Sequence, residues 1–145
     1  MKPTALLRTA SVLTLIHSVM HTVGGVFGKP APGAAETVAL AMQANRFLFM
    51  GAMRTFWEFH RGLGLSVTIF LTAEAIVFWQ LGSLAKTDAA RLRPILATFM
   101  VGYIAFAVDS YLYFFLLPVF FELAIALCLG LAMVSAGKGA HEQAG

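Results

Sequence analysis

The chain has 145 residues, of which 59% are hydrophobic and only 12% charged, about half the charged share of an ordinary soluble domain. With a mean hydropathy of +0.82, this excludes a water-soluble globular domain, because at roughly 20 apolar residues per crossing the length holds about four membrane spans and little else. The formal charge of +3 does not point to nucleic acid, since the basic residues are scattered between apolar segments rather than clustered, and a single cysteine, Cys128, excludes an intrachain disulfide.

The first predicted span runs from about residue 5 to 24. Lys2 and Arg8 ahead of an apolar run also resemble the start of a secretory leader. Two histidines, a Gly-Gly pair and sufficient length to span favour a retained membrane helix instead. Next, "GGVFGKPAPGAAE" cannot sustain a helix through its glycines and prolines, and the Gly-Gly pair is expected to mark the helix exit.

The segment "TVALAMQANRFLFMGAMRTFWEFHRG" can be helical again. At 100° per residue Glu36, Gln43, Arg54 and Arg61 would fall on one stripe, with methionine and phenylalanine over much of the rest. That predicts an amphipathic, partly helical outer connection, residues 25–56, lying along the interface or capping the bundle.

The second span is expected at 57–84, the third at 92–114 and the fourth at 116–136. A polar turn, "AKTDAARLRP", separates the second and third, an aromatic hairpin around Pro118 joins the third and fourth, and "AGKGAHEQAG" is a polar tail. The predicted fold is therefore all-α, a single-domain, antiparallel, integral membrane four-helix bundle covering residues 1–145.

Lys2, Arg8, Lys86, Arg91, Arg93 and Lys138 flank the spans on the side of the two termini, while the connection between spans three and four carries no lysine or arginine. By the positive-inside rule both termini are expected to be cytoplasmic. Lys29, Arg46, Arg54 and Arg61 in the first connection argue for the inverted arrangement.

An ionisable side chain inside a membrane needs a partner, a wet cavity or a function. His17 and His21 occupy the outer half of the first span, and Arg54, Glu58, His60 and Arg61 gather where the second begins. Asp109 lies near the outer end of the third span, and Glu122 about a turn into the fourth. Antiparallel packing would bring these residues to one level, and small residues sharing their faces (Gly24, Gly102, Ala105, Ala126) suggest that those faces point inward. A polar pocket in the outer half of the bundle follows, lined by His17, His21, His60, Asp109 and Glu122 and roofed by residues 36–54.

Histidines at i and i+4 project from one helix face, which lets both reach one transition-metal ion, with Asp109 and Glu122 supplying oxygens. Their commoner role is to hydrogen-bond neighbouring helices, and haem fits less well because its axial ligands approach from opposite sides. Arg54, Glu58 and Arg61, spaced four and three apart, fit a charge ladder that anchors the helix at the interface or clamps an anion. Glu74, deeper in the second span, is expected to bond another helix, with a proton relay as the functional alternative. No serine or cysteine sits in a nucleophile turn, and "GLGL" at Gly62 to Leu65 lacks the strand-turn-helix setting of a phosphate loop.

"HTVGG" at His21 to Gly25, "RFLFMGAMRT" at Arg46 to Thr55, and "GLGL" together resemble a family of small uncharacterised bacterial inner-membrane proteins with four predicted spans. The resemblance covers the first two spans. It implies architecture and a bacterial inner (plasma) membrane location, and no site residues. Three functions remain open: a small-ligand or metal-binding pocket, a structural subunit of a larger membrane complex or homo-oligomer, and a membrane enzyme acting on a quinone or lipid.

Overall fold

The computed structural model describes the backbone of residues 2–142 and the side chains of residues 2–137; the side chains of Lys138 and of the polar tail beyond it lie outside what is described. The fold is all-α, with one small hairpin. Helix α1, Pro3–Met20, continues as a π-helical segment, His21–Val26; α2 is Ala34–Ala44, strands β1 and β2 are Arg46–Phe49 and Ala52–Thr55, α3 is Phe56–Leu84, α4 is Arg93–Tyr113 and α5 is Leu116–Glu142. Four stretches, Pro3–Val26, Phe56–Leu84, Ala90–Tyr113 and Leu116–Gly137, are long and apolar enough to cross a membrane. This is a multi-pass membrane architecture.

The chain forms two compact units, one made of the residues up to His17 and from Leu71 onward, the other of Ser18–Phe70. In the first, α1 and α3 run antiparallel. Thr4, Leu7 and Arg8 pack on Gly82, and Ser11 Oγ donates to Ala75 O at 2.6 Å, seven residues earlier on α3. Helices α4 and α5 are antiparallel too, with Met100 against Gly130, Arg93 against Gly137, and Ser110 bonded to Glu122. Leu6, Leu7, Ala10, Phe78, Leu96, Ile125, Leu129 and Ala132 form the buried centre. In lipid such association rests on close van der Waals packing, which explains the alanines and glycines at these contacts.

On α4 the buried positions are Leu96, Tyr103, Ala107 and Ser110, with spacings of seven, four and three. They define the inward stripe, and Gly102, Ala105 and Asp109 are exposed on another face. The expectation that small residues would carry Asp109 inward is thus overturned. Tyr103 and Ser110, which fill and bond the interior, set the helix rotation instead.

In the second unit, α1 and α3 are again antiparallel. Ser18 Oγ donates to Thr68 O at 3.2 Å, the Thr22 and Thr68 hydroxyls meet at 2.9 Å, and Val26 packs so closely on Gly64 that a Cβ there would lie 2.9 Å from Val26 Cγ2. "GLGL" therefore contains a helix-packing glycine. Gly-Gly does not end the first helix. Thr22 Oγ1 takes the Ser18 carbonyl at 2.6 Å and Phe27 N reaches back five residues to Thr22 O at 3.0 Å, so the helix widens into a π turn before it breaks.

The following segment is not one helix, so the predicted stripe of Glu36, Gln43, Arg54 and Arg61 does not exist. Asn45 turns extended (φ −89°, ψ 112°) and an antiparallel hairpin pairs Arg46 with Thr55 and Phe49 with Ala52. Met50 and Gly51 make its turn with φ of 48° and 85°, the left-handed pair of a type I′ hairpin. Glycine takes that conformation freely, whereas a methionine there costs about 1–2 kcal/mol.

Arg54 lies in β2, so the expected ladder of Arg54, Glu58 and Arg61 is also replaced. Thr55 N donates to Glu58 Oε2 at 2.6 Å, and Glu58 N donates to Thr55 Oγ1 at 3.1 Å. This reciprocal capping box starts α3, while Arg61 stacks over Phe27 at 5.0 Å. Thr55→Ala is expected to weaken the first turn of α3 by about 1 kcal/mol. Hydrogen exchange at the Glu58 amide, which donates to the Thr55 hydroxyl, should then speed up by about fivefold; an unchanged rate would contradict the cap.

Candidate functional site

Both units hold polar chemistry that the membrane makes expensive. In the second, the glycines at the end of the π segment, the start of α2 and the first turns of α3 enclose an open cleft of about 520 Å³. Gly24, Gly25 and Gly28 form one side, Val38 and Met42 of α2 another, and Trp57 and His60 of α3 a third, with Lys29 also on the lining. The cleft exists because its glycine wall has no side chains. A Cβ on Gly28 would sit 2.0 Å from the Gly24 carbonyl oxygen, so this turn admits only glycine. Trp57 and His60, an i, i+3 pair, tilt against each other at 5.5 Å and both line the cleft.

His21 stands beside this wall. Its Nε2 lies 3.0 Å from Gly64 O, and since a carbonyl can only accept, Nε2 carries the proton. Nδ1 faces Gly25, where a Cβ would be 3.4 Å away. The histidine thus ties the π segment to α3.

The first unit contains two hydroxyl–carboxyl pairs on the inward stripe of α4. Tyr103 OH donates to Glu74 Oε2 at 2.6 Å and lies 3.4 Å from Thr14 Oγ1, which itself donates to Ala10 O at 2.9 Å. Seven residues on, Ser110 Oγ donates to Glu122 Oε1 at 2.8 Å. Glu122 is 0% exposed and its Oε2 has no hydrogen-bond partner among the described residues. His17, itself buried, stacks on Phe121 at 5.5 Å and on Phe106 at 6.3 Å. Phe106 and Phe121 thus pack on the His17 ring.

No family model, curated protein or solved structure matches this chain. Its site must be read from its own geometry.

Of the predicted residues, His17 and Glu122 are each buried in the first unit, and Asp109 is exposed on a different face of α4 from Ser110, the partner of Glu122. In the second unit His60 lines the cleft, His21 bonds a backbone carbonyl, Glu58 caps α3, Arg61 covers Phe27, and Arg54 donates to Met53 O at 2.9 Å. Among the described residues no group of three or more His, Cys, Asp and Glu side chains is placed to hold a metal ion.

Sequence reasoning singled out His60 and Gly24 of the cleft lining, but not Tyr103, Ser110, Thr14 or Gly28, Val38, Met42 and Trp57 of the cleft. For Tyr103 and Ser110 a signal was present. Leu96, Tyr103 and Ser110 repeat every seven residues, the period of an antiparallel helix seam. For the glycine wall of the cleft there was none, since Gly25 and Gly28 have no side chains to carry one.

Proposed function

We propose that this protein binds a small ligand in the cleft formed by Gly24, Gly25, Gly28, α2 and the Trp57–His60 face of α3. The observation carrying this reading is the cleft itself, of about 520 Å³, a size within the range of small-molecule sites. Val38, Met42 and Trp57 offer apolar surface, while His60 and Lys29 offer hydrogen bonds and positive charge. The ligand best suited has an apolar body and one anionic or hydrogen-bonding group.

Its setting is a multi-pass membrane protein. The basic residues Lys2, Arg8, Lys86, Arg91 and Arg93 support cytoplasmic termini, and the resemblance carried by "HTVGG", "RFLFMGAMRT" and "GLGL" supports a place among small four-span proteins of the bacterial inner membrane. With that orientation the cleft faces the outer side. A second reading, as an interaction subunit of a membrane complex, draws support from the stacking of His17 on Phe106 and Phe121, which gives that buried histidine a packing role.

Small molecules that copurify with the protein under gentle extraction test the first reading. Ala35→Phe places a ring in the cleft from the exposed start of α2. It should cut the amount of any bound molecule roughly tenfold relative to the unsubstituted protein, the equivalent of about 1.4 kcal/mol. Identical mass spectra from both samples would sink the proposal, and a fixed protein partner in both would favour the second reading.

A further inference from the structure

The hairpin of β1 and β2 carries more apolar surface than its position in a connecting segment requires. Its register puts Phe47, Phe49, Ala52 and Arg54 on one face, and Arg46, Leu48, Met53 and Thr55 on the other. The first face packs on α3. Phe47 meets Phe56 at 4.5 Å and Phe59 at 5.6 Å, and Phe49 meets Phe59 at 5.4 Å in an edge-on contact. The second face is open, with Leu48 69% and Met53 46% exposed as a cross-strand pair, and Met50 at the tip 91% exposed.

The aromatic contacts also fix the direction of the hairpin. Moving from Phe47 to Phe49 is a step toward the tip, and the partner moves from Phe56 to Phe59, one turn further into a helix long and apolar enough to span a membrane. The tip therefore points the same way as α3, along a stretch long and apolar enough to span a membrane. Four strand residues extend about 13 Å. That exceeds the headgroup layer of roughly 5–8 Å on each side of the hydrocarbon.

Polarity is graded along the same direction. Arg46 and Arg54 lie toward the open end of the hairpin and are exposed, and Leu48, Phe49, Met50 and Met53 make up its far end. Guanidinium groups match the phosphates of a lipid surface, and Trp57, in the first turn of α3, is of a residue type enriched at that depth. Methionine at a left-handed turn position, where asparagine or glycine is ordinary, is explained if its side chain has apolar surroundings to enter.

We propose that the β1–β2 hairpin is a lipid-inserted wedge: Met50, Leu48 and Met53 enter the boundary between headgroups and acyl chains on the side where α3 enters the membrane, and Arg46 and Arg54 bind lipid phosphates above them. The hairpin is attached to the Phe56 and Phe59 face of α3, while Trp57 and His60 on another face of the same turns line the cleft. The wedge would hold these turns of α3 at a fixed depth. This does not depend on what occupies the cleft.

An environment-sensitive fluorophore attached at Met50→Cys in a Cys128→Ala background, with the protein in vesicles of phosphatidylcholine and phosphatidylglycerol, tests it. The label should be quenched by lipids carrying a spin label high on the acyl chain, and shielded from aqueous iodide at least several-fold relative to a label at Asn45→Cys. Met53→Cys provides a second reporter on the open face, with the same expectation. If both hairpin labels respond to iodide as strongly as the Asn45 label and ignore the lipid quencher, the hairpin lies in water and the proposal is wrong.

Discussion

Gly28→Ala is expected to be the most damaging single-methyl substitution in the second unit. The added Cβ would lie 2.0 Å from the Gly24 carbonyl oxygen and 3.0 Å from its carbon, and backbone atoms held in a π turn cannot step aside as a flexible side chain can. Overpacking of this kind costs typically 1–3 kcal/mol and occasionally more, and a clash with backbone belongs at the upper end, about 3 kcal/mol. Gly24→Ala supplies the control. Nothing lies within 4 Å of a Cβ at that position, and in a helix alanine is favoured over glycine by roughly 0.5–1 kcal/mol. Thermal unfolding in micelles should therefore separate two neighbouring glycines in opposite directions. Equal midpoints for the two variants would mean that the turn is not built on the Gly24–Gly28 contact.

The same pair of glycines shows where sequence reading succeeds and where it stops. Four spans were legible because each is a long apolar run, and hydropathy needs no knowledge of packing. Gly24 and Gly25 read as a helix exit because both are poor helix formers, yet a hydroxyl on the carbonyl ladder and an i to i−5 bond carry the turn on to Val26. Which bond a carbonyl accepts is not written in propensities. The hairpin was missed for a related reason: its turn is Met-Gly rather than Asn-Gly, and phenylalanines and methionines around it satisfy a helical apolar pattern equally well. Thr55 and Glu58 did carry a readable signature, the Thr-x-x-Glu box, which marks a helix start at Phe56 and argues against a charge ladder through Arg54. Asp109 was misplaced because small residues permit close approach without compelling it. The rotation of α4 is decided by Tyr103 and Ser110, each of which has a carboxyl to bond.

Ser110→Ala is expected to destabilise the first unit by about 1–3 kcal/mol, since removing one member of a buried pair leaves the other desolvated without compensation. Glu122 already has one oxygen, Oε2, lacking a hydrogen-bond partner among the described residues, so the Ser110 hydroxyl is the bond that steadies a side chain with no exposure. Glu122→Leu alone should cost less, because a serine in a helix can turn its hydroxyl back to the carbonyl four residues earlier. Combining the two substitutions removes the whole pair and should recover most of the loss from Ser110→Ala. Interhelical hydrogen bonds in membranes average only about 0.6 kcal/mol in double-mutant cycles, with a maximum near 1.7. Full burial places Ser110–Glu122 toward that maximum. The parallel cycle on Tyr103→Phe and Glu74→Leu should give a smaller coupling even though its bond is shorter, 2.6 Å against 2.8 Å, because Glu74 is only half-buried and has alternatives at the surface of the unit. Unfolding titrations on both sets decide between the two causes: a larger coupling for Tyr103–Glu74 would show that bond length, not burial, governs the strength of these pairs.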